Sequence, residues 1–83
     1  MGMIFITFRS VTPAQRGQRL LQQAGIECTL QRTPRWMEER GCGYCLRLRP
    51  MYADRAVTLL RQNGLTFSKI YTDENQVVEE WRP

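Results

Sequence analysis

Twelve residues, AQRGQRLLQQAG at positions 14 to 25, return at positions 53 to 64 as ADRAVTLLRQNG. At this offset of 39, Ala14/Ala53, Arg16/Arg55, Leu20/Leu59, Leu21/Leu60, Gln23/Gln62 and Gly25/Gly64 coincide. In a chain of 83 residues, two such segments leave room for little beyond the strands around them. Each reads as an amphipathic helix. In the first, residues 11 to 25, Thr12 can serve as N-cap, Pro13 suits the first turn, and Gln15 completes a capping box. Ala14, Gly17, Leu21 and Ala24 fall on one face, and Gly17 there would let the helix approach a sheet closely. Gly25 is the expected left-handed stop. The second helix, residues 52 to 64, ends likewise at Gly64.

The intervening stretches read as strands. MIFITFR, residues 3 to 9, is β-branched and aromatic, and IECTLQR, residues 26 to 32, points Ile26, Cys28 and Leu30 one way. YCLRLR, residues 44 to 49, alternates: Tyr44, Leu46 and Leu48 on one side, Cys45, Arg47 and Arg49 on the other. LTFSKIYT, residues 65 to 72, is a further strand; DEN reads as a turn, and QVVEEW as an extra C-terminal edge strand. Two βαβ halves in tandem are what a ferredoxin-like βαββαβ fold requires. The expectation is an α+β two-layer sandwich: one domain over residues 1–83, with both helices on one face of an antiparallel sheet. Its core spans residues 3–72, and residues 73–83 form an acidic turn and strand. Cys45, Arg47 and Arg49 would then lie on the open face.

Charge is unevenly distributed. The net charge is +4, yet residues 73 to 83 hold Asp73, Glu74, Glu79 and Glu80 against Arg82 alone. Nearly all cations are arginine, with Lys69 the single lysine. Guanidinium forks suit carboxylates, phosphates and other oxyanions. No nucleic-acid motif and no aromatic-rich basic run is present, so a specific nucleic-acid partner is not expected. The apolar start MGMIFITFRS is too short to span a membrane and lacks a basic leader, which points to the cytoplasm. An odd number of cysteines, three, fits a reducing compartment.

TPRWMEERGCG, residues 33 to 43, breaks the regular pattern as a long loop, and it brings two thiols close together: Cys42 and Cys45, in GCGYC. Three chemistries use such a pair. A dithiol–disulfide switch is one, but its first cysteine ordinarily caps a helix, and here a strand pattern follows. Half of a zinc site is another, but the chain has no histidine and only one further cysteine, Cys28, so no metal is expected. The third is a single working thiol. Cys42 lies between two glycines, with Arg32, Arg35 and Arg40 before it and Arg47 and Arg49 after it. Cationic neighbours favour thiolate over thiol. Trp36 and Met37 read as a hydrophobic anchor or partner contact, Glu38 and Glu39 as solvated carboxylates. No Ser/His/Asp arrangement, phosphate-binding loop or acid pair is visible.

Thr33-Pro34-Arg35 and Cys42-Gly43 followed by Leu46 and Arg47, behind a helix ending LLQQAGI, give the chain a recognisable layout over residues 3 to about 72. It resembles the DUF3343 family, described as selenium/sulfur carrier protein-like. WMEERG stands between the two pairs where family members usually carry hydroxyl residues. The resemblance implies a small carrier, not a catalyst, that needs no cofactor and receives sulfur or selenium on Cys42 as a persulfide or selenopersulfide. The donor would be an enzyme of cysteine desulfurase or selenocysteine lyase type, and the acceptor a biosynthetic enzyme. Arg35 and then Arg47 would supply the positive field, Pro34 would hold the loop, and Gly43 belongs to the motif; the family pattern does not demand Cys45, and its spacing from Cys42 alone suggests a resolving thiol. Two other readings stay open: a dithiol–disulfide oxidoreductase using CGYC, and a ferredoxin-like regulatory or interaction module. A homodimer is also left open.

Overall fold

A computed structural model describes the backbone of residues 3–33, 43–74 and 77–80, and side chains for residues 3–33 and 43–72. Along the chain come β1 (Ile4–Phe8), α1 (Val11–Gln23), β2 (Cys28–Arg32), β3 (Tyr44–Leu48), a 3-10 turn (Pro50–Tyr52), α2 (Ala53–Gln62), β4 (Ile70–Glu74) and β5 (Val77–Glu80). The strands form one sheet in the order β2-β3-β1-β4-β5, with every neighbouring pair antiparallel. The fold is therefore α+β and ferredoxin-like, with the extra strand at the edge beyond β4.

Strand alternation decides what each face buries. Ile4, Ile6 and Phe8 of β1, Leu46 and Leu48 of β3 and Ile70 of β4 point to the helices. There they form one buried cluster with Ala14 and Leu21 of α1 and Ala53, Ala56, Val57 and Leu60 of α2. Gly17 is the point of closest approach. A Cβ built on it would stand 3.2 Å from Leu46 Cδ1, 3.2 Å from Phe8 Cζ and 3.3 Å from Leu60 Cδ2. A larger residue would push α1 off the sheet.

The 39-residue echo is structural. Both helices end in the same pair of hydrogen bonds: Gly25 N to Gln22 O (3.0 Å) and Ile26 N to Leu21 O (2.9 Å), matched by Gly64 N to Arg61 O (3.1 Å) and Leu65 N to Leu60 O (2.9 Å). Both glycines have positive φ, the backbone signature of this stop. Arg55 of α2 also donates to the Ala24 carbonyl (3.4 Å), placing a cation at the negative end of α1.

Three element boundaries differ from the sequence reading. Thr12 is not the N-cap of α1: Ser10 is, extended at φ −146° and without a side-chain cap. The helix starts earlier because Pro13 still falls among the first positions, whose N–H groups need no helical partner. Residues 65–69 are not strand. Leu65 is tied back to α2, and Leu65 and Phe67 pack against the core from a connection. Their alternation imitates a strand because both cover the same apolar cluster. Ile26 likewise belongs to the stop of α1, where it is fully buried, and β2 begins at Cys28.

Candidate functional site

β3 lies between β2 and β1, so each of its side chains has a neighbour on both sides. On the face without helices these form two rungs. One is Gln31–Cys45–Thr7; the other is Thr29–Arg47–Phe5–Tyr71. Arg47 is exposed, as the alternation predicts. Cys45 is on the expected face, but that face is not bare at this point. Its side chain has 0 % exposure and forms a second small cluster with Phe5, against which Met3 and Tyr71 pack. Arg49 lies beyond the end of β3, exposed, where it precedes the 3-10 turn. With Arg47, Glu27 and Cys28 it lines a shallow cleft of about 470 Å³ at the end of the sheet remote from Gly43.

Burial pushes the Cys45 thiol above its ordinary pKa of 9.0, because a thiolate there would lose its hydration. The side chains of Gln31 and Thr33 pull in the opposite direction, and burial prevails. The thiol is therefore protonated at neutral pH. Thr33 Oγ1 is itself buried, and it has no hydrogen-bond partner among the described residues. The hydroxyl on the other side of the rung is committed: Thr7 Oγ1 donates to Lys69 O (3.1 Å) and accepts from Lys69 N (3.0 Å).

Gly43 fixes how the chain enters β3. Its φ of 147° lies in a region that residues with side chains rarely adopt. Its carbonyl accepts a hydrogen bond from Thr33 N (3.1 Å), so the exit of β2 and the entrance of β3 are held together. The residue following Cys42 in sequence is thus anchored on a glycine-specific backbone opposite Thr33.

Cys28 sits on the other face. It pairs with Leu48, packs against the helix-covered cluster, and donates its S–H to Gln18 O of α1 at 3.8 Å. Burial raises its pKa as well. Cys28 and Cys45 point to opposite sides of one sheet, so they cannot ligate one ion within the chain. No helix begins after CGYC either, because residues 44–48 are strand. The helix N-terminus that activates the first cysteine of a thioredoxin-type pair is not there.

Of the residues singled out in the sequence, Gly43, Cys45 and Arg47 come together at β3. Cys42, Pro34 and Arg35 lie outside the described residues, as do Trp36, Met37, Glu38, Glu39 and Arg40. Sequence reasoning missed Gln31 and the role of Thr33. The available signal was parity: Gln31 of β2 pairs with Cys45 in the antiparallel register, and Thr33 follows two residues later, just past the end of β2. No described helix is long and apolar enough to cross a membrane.

The fold defines a class: a small ferredoxin-like sandwich in which Gly43, Cys45 and Arg47 lie at and just before one central strand. Within that class the chain belongs to the family described as "Putative Se/S carrier protein-like", whose model matches residues 3–72. Searches of curated proteins and of solved structures found no match.

Proposed function

We propose that the protein is a chalcogen carrier that accepts one sulfur or selenium atom on Cys42 and passes it to a partner enzyme. The observation that carries this reading is the family match across residues 3–72, which includes Cys42-Gly43 and the Thr33-Pro34-Arg35 segment. The backbone at Gly43 supports it, because a residue beside a glycine-specific turn can be closely approached by a partner.

In the loading step the Cys42 thiolate attacks the outer sulfur of a donor's cysteine persulfide. A new Cys42 S–S bond forms, the donor's S–S bond breaks, and the donor cysteine leaves as a thiolate that takes up the proton. No net oxidation occurs. Guanidinium groups favour both the attacking thiolate and the perthiolate formed, and Arg35 and Arg47 are assigned that role. Pro34 restricts the loop before it by fixing its own φ. The donor is of cysteine desulfurase or selenocysteine lyase type and the acceptor a biosynthetic enzyme, met in the cytoplasm. The protein acts as a carrier and not as a catalyst.

The test is an intact mass, taken without reductant, after incubation with a cysteine desulfurase and cysteine. Wild type gains the mass of one sulfur atom, Cys28→Ser gains it too, and Cys42→Ser does not. No adduct on wild type, or an undiminished adduct on Cys42→Ser, overturns the reading.

A further inference from the structure

We propose that the outer edge of β2 is a self-association surface, on which a second copy of the chain adds its own β2 antiparallel, about a two-fold axis at Leu30. This goes beyond the carrier reading and does not depend on it.

The hydrogen bond from Thr33 N to Gly43 O sets the direction of every backbone group on β2. In the β2–β3 register Thr33 stands opposite Gly43, two residues beyond the Gln31–Cys45 pair. Bonded and unbonded pairs alternate along an antiparallel ladder, so Gln31 and Thr29 also exchange their bonds with β3. The N–H and C=O groups of Cys28, Leu30 and Arg32 therefore point away from β3. β2 is the last strand of the sheet, and no described segment pairs with that side.

The two edges of the sheet differ in how they are guarded. β5, on the far side, carries Glu79 and Glu80 in a strand of four residues, and like charges of this kind keep a second copy off an edge. β2 reads CTLQR, with neutral Thr29, Leu30 and Gln31 at its centre, no proline, and Arg32 as its one charge. Leu30 is only partly buried where it packs against the helix-covered cluster.

The symmetry fixes the register. Outward-pointing backbone must meet outward-pointing backbone, which pairs even-numbered residues of one β2 with even-numbered residues of the other. Centring on Leu30 sets it against the partner's Leu30 and sets Cys28 against the partner's Arg32. All the outward-pointing residues of β2 are then paired, whereas a slip of two residues leaves one of them without a partner on the strand. In the centred register the half-covered leucines lie directly opposite each other on the helix-covered face. Thr29 faces the partner's Gln31 on the other face, and no two like charges are opposed. The contact is one short strand on each side, so the dimer forms in a concentration-dependent way.

The test is sedimentation of the full chain over a concentration series reaching about 1 mM, for wild type, Arg32→Pro, Arg32→Ala and Leu30→Lys, with urea unfolding to check that each variant folds. Wild type is expected to pass from monomer to dimer. Proline at 32 removes an outward N–H from each copy and leaves the ladder to β3 intact, a place where an edge strand accepts it. Two intermolecular hydrogen bonds are lost by symmetry, and the dimer weakens about thirtyfold. Arg32→Ala keeps those bonds and dimerises like wild type. Leu30→Lys sets two ammonium groups opposite each other and weakens the dimer, less so at high salt. If Leu30→Lys does not fold, the two Arg32 variants decide. Amide hydrogen exchange reads the register: Leu30 and Arg32 gain protection as wild-type concentration rises, while Thr29 and Gln31 are protected throughout. A chain that stays monomeric over the whole series overturns the proposal. So does a dimer that Arg32→Pro leaves intact or that Arg32→Ala weakens equally, and so does concentration-dependent protection confined to amides outside β2.

Discussion

Leu46 and Cys45 are neighbours in sequence, both fully buried, and they belong to different environments. Leu46 faces the helices, inside a continuous hydrocarbon cluster built from three strands and two helices. Cys45 faces the other way, into a cluster of two buried residues bordered by a glutamine, two threonines and an exposed arginine. The difference teaches where each kind of constraint lives. One face holds the fold together and tolerates little change in volume. The other buries polar groups at a cost.

The largest effect that would sharpen this contrast comes from truncating each neighbour in turn. Leu46→Ala should cost about 3 kcal/mol of stability, because it removes a fully buried side chain and leaves a cavity. Cys45→Ala, one residue away, should cost about 1 kcal/mol. Equal losses in urea unfolding would break the distinction between the faces. Gly17→Ala is next. The added methyl gains about 1 kcal/mol of helix propensity but presses on Leu46, Phe8 and Leu60, all buried, so a net loss of about 1 kcal/mol is expected. A stabilised Gly17→Ala variant would mean that α1 is less tightly seated than described.

The sequence displayed the helix-covered face almost completely. Repeated helices, alternating strands and glycine stops are local patterns, and Ala14/Ala53, Leu21/Leu60 and Gly25/Gly64 occupy equivalent places in the two halves. Boundaries were less legible where one packing surface is served by two kinds of backbone, as at Leu65 and Phe67. The site was legible only in part. Composition and spacing drew attention to Cys42, Cys45 and Arg47. The pairing of Cys45 with Gln31, and the orphaned Thr33 hydroxyl, depend on the register between β2 and β3. That register arises between strands that are not adjacent in sequence, and no local spacing encodes it.

Two smaller effects probe the polar face itself. Cys45 and Cys28 both bind their protons more tightly in the folded chain than at the ordinary pKa of 9.0. Above about pH 9 the unfolded thiols ionise first, so stability present below that pH declines as pH rises further. Urea unfolding at about pH 8 and about pH 10 should show a shallower decline in Cys45→Ala than in wild type, whereas an identical decline would argue that Cys45 is solvated. Smallest of all, Thr33→Val should leave stability within about 0.5 kcal/mol of wild type, since the lost hydroxyl has no partner to abandon. A clear loss there would assign the hydroxyl to the architecture of the fold.

The central claim is that a single thiol of the three takes the cargo. Peptide mapping of the desulfurase-treated protein, alkylated to trap persulfides and with the extra sulfur assigned residue by residue, tests it most directly. The account predicts the added atom on Cys42, with Cys28 unmodified beneath α1. An added sulfur carried mainly on Cys28, or spread evenly over the three cysteines, would contradict it.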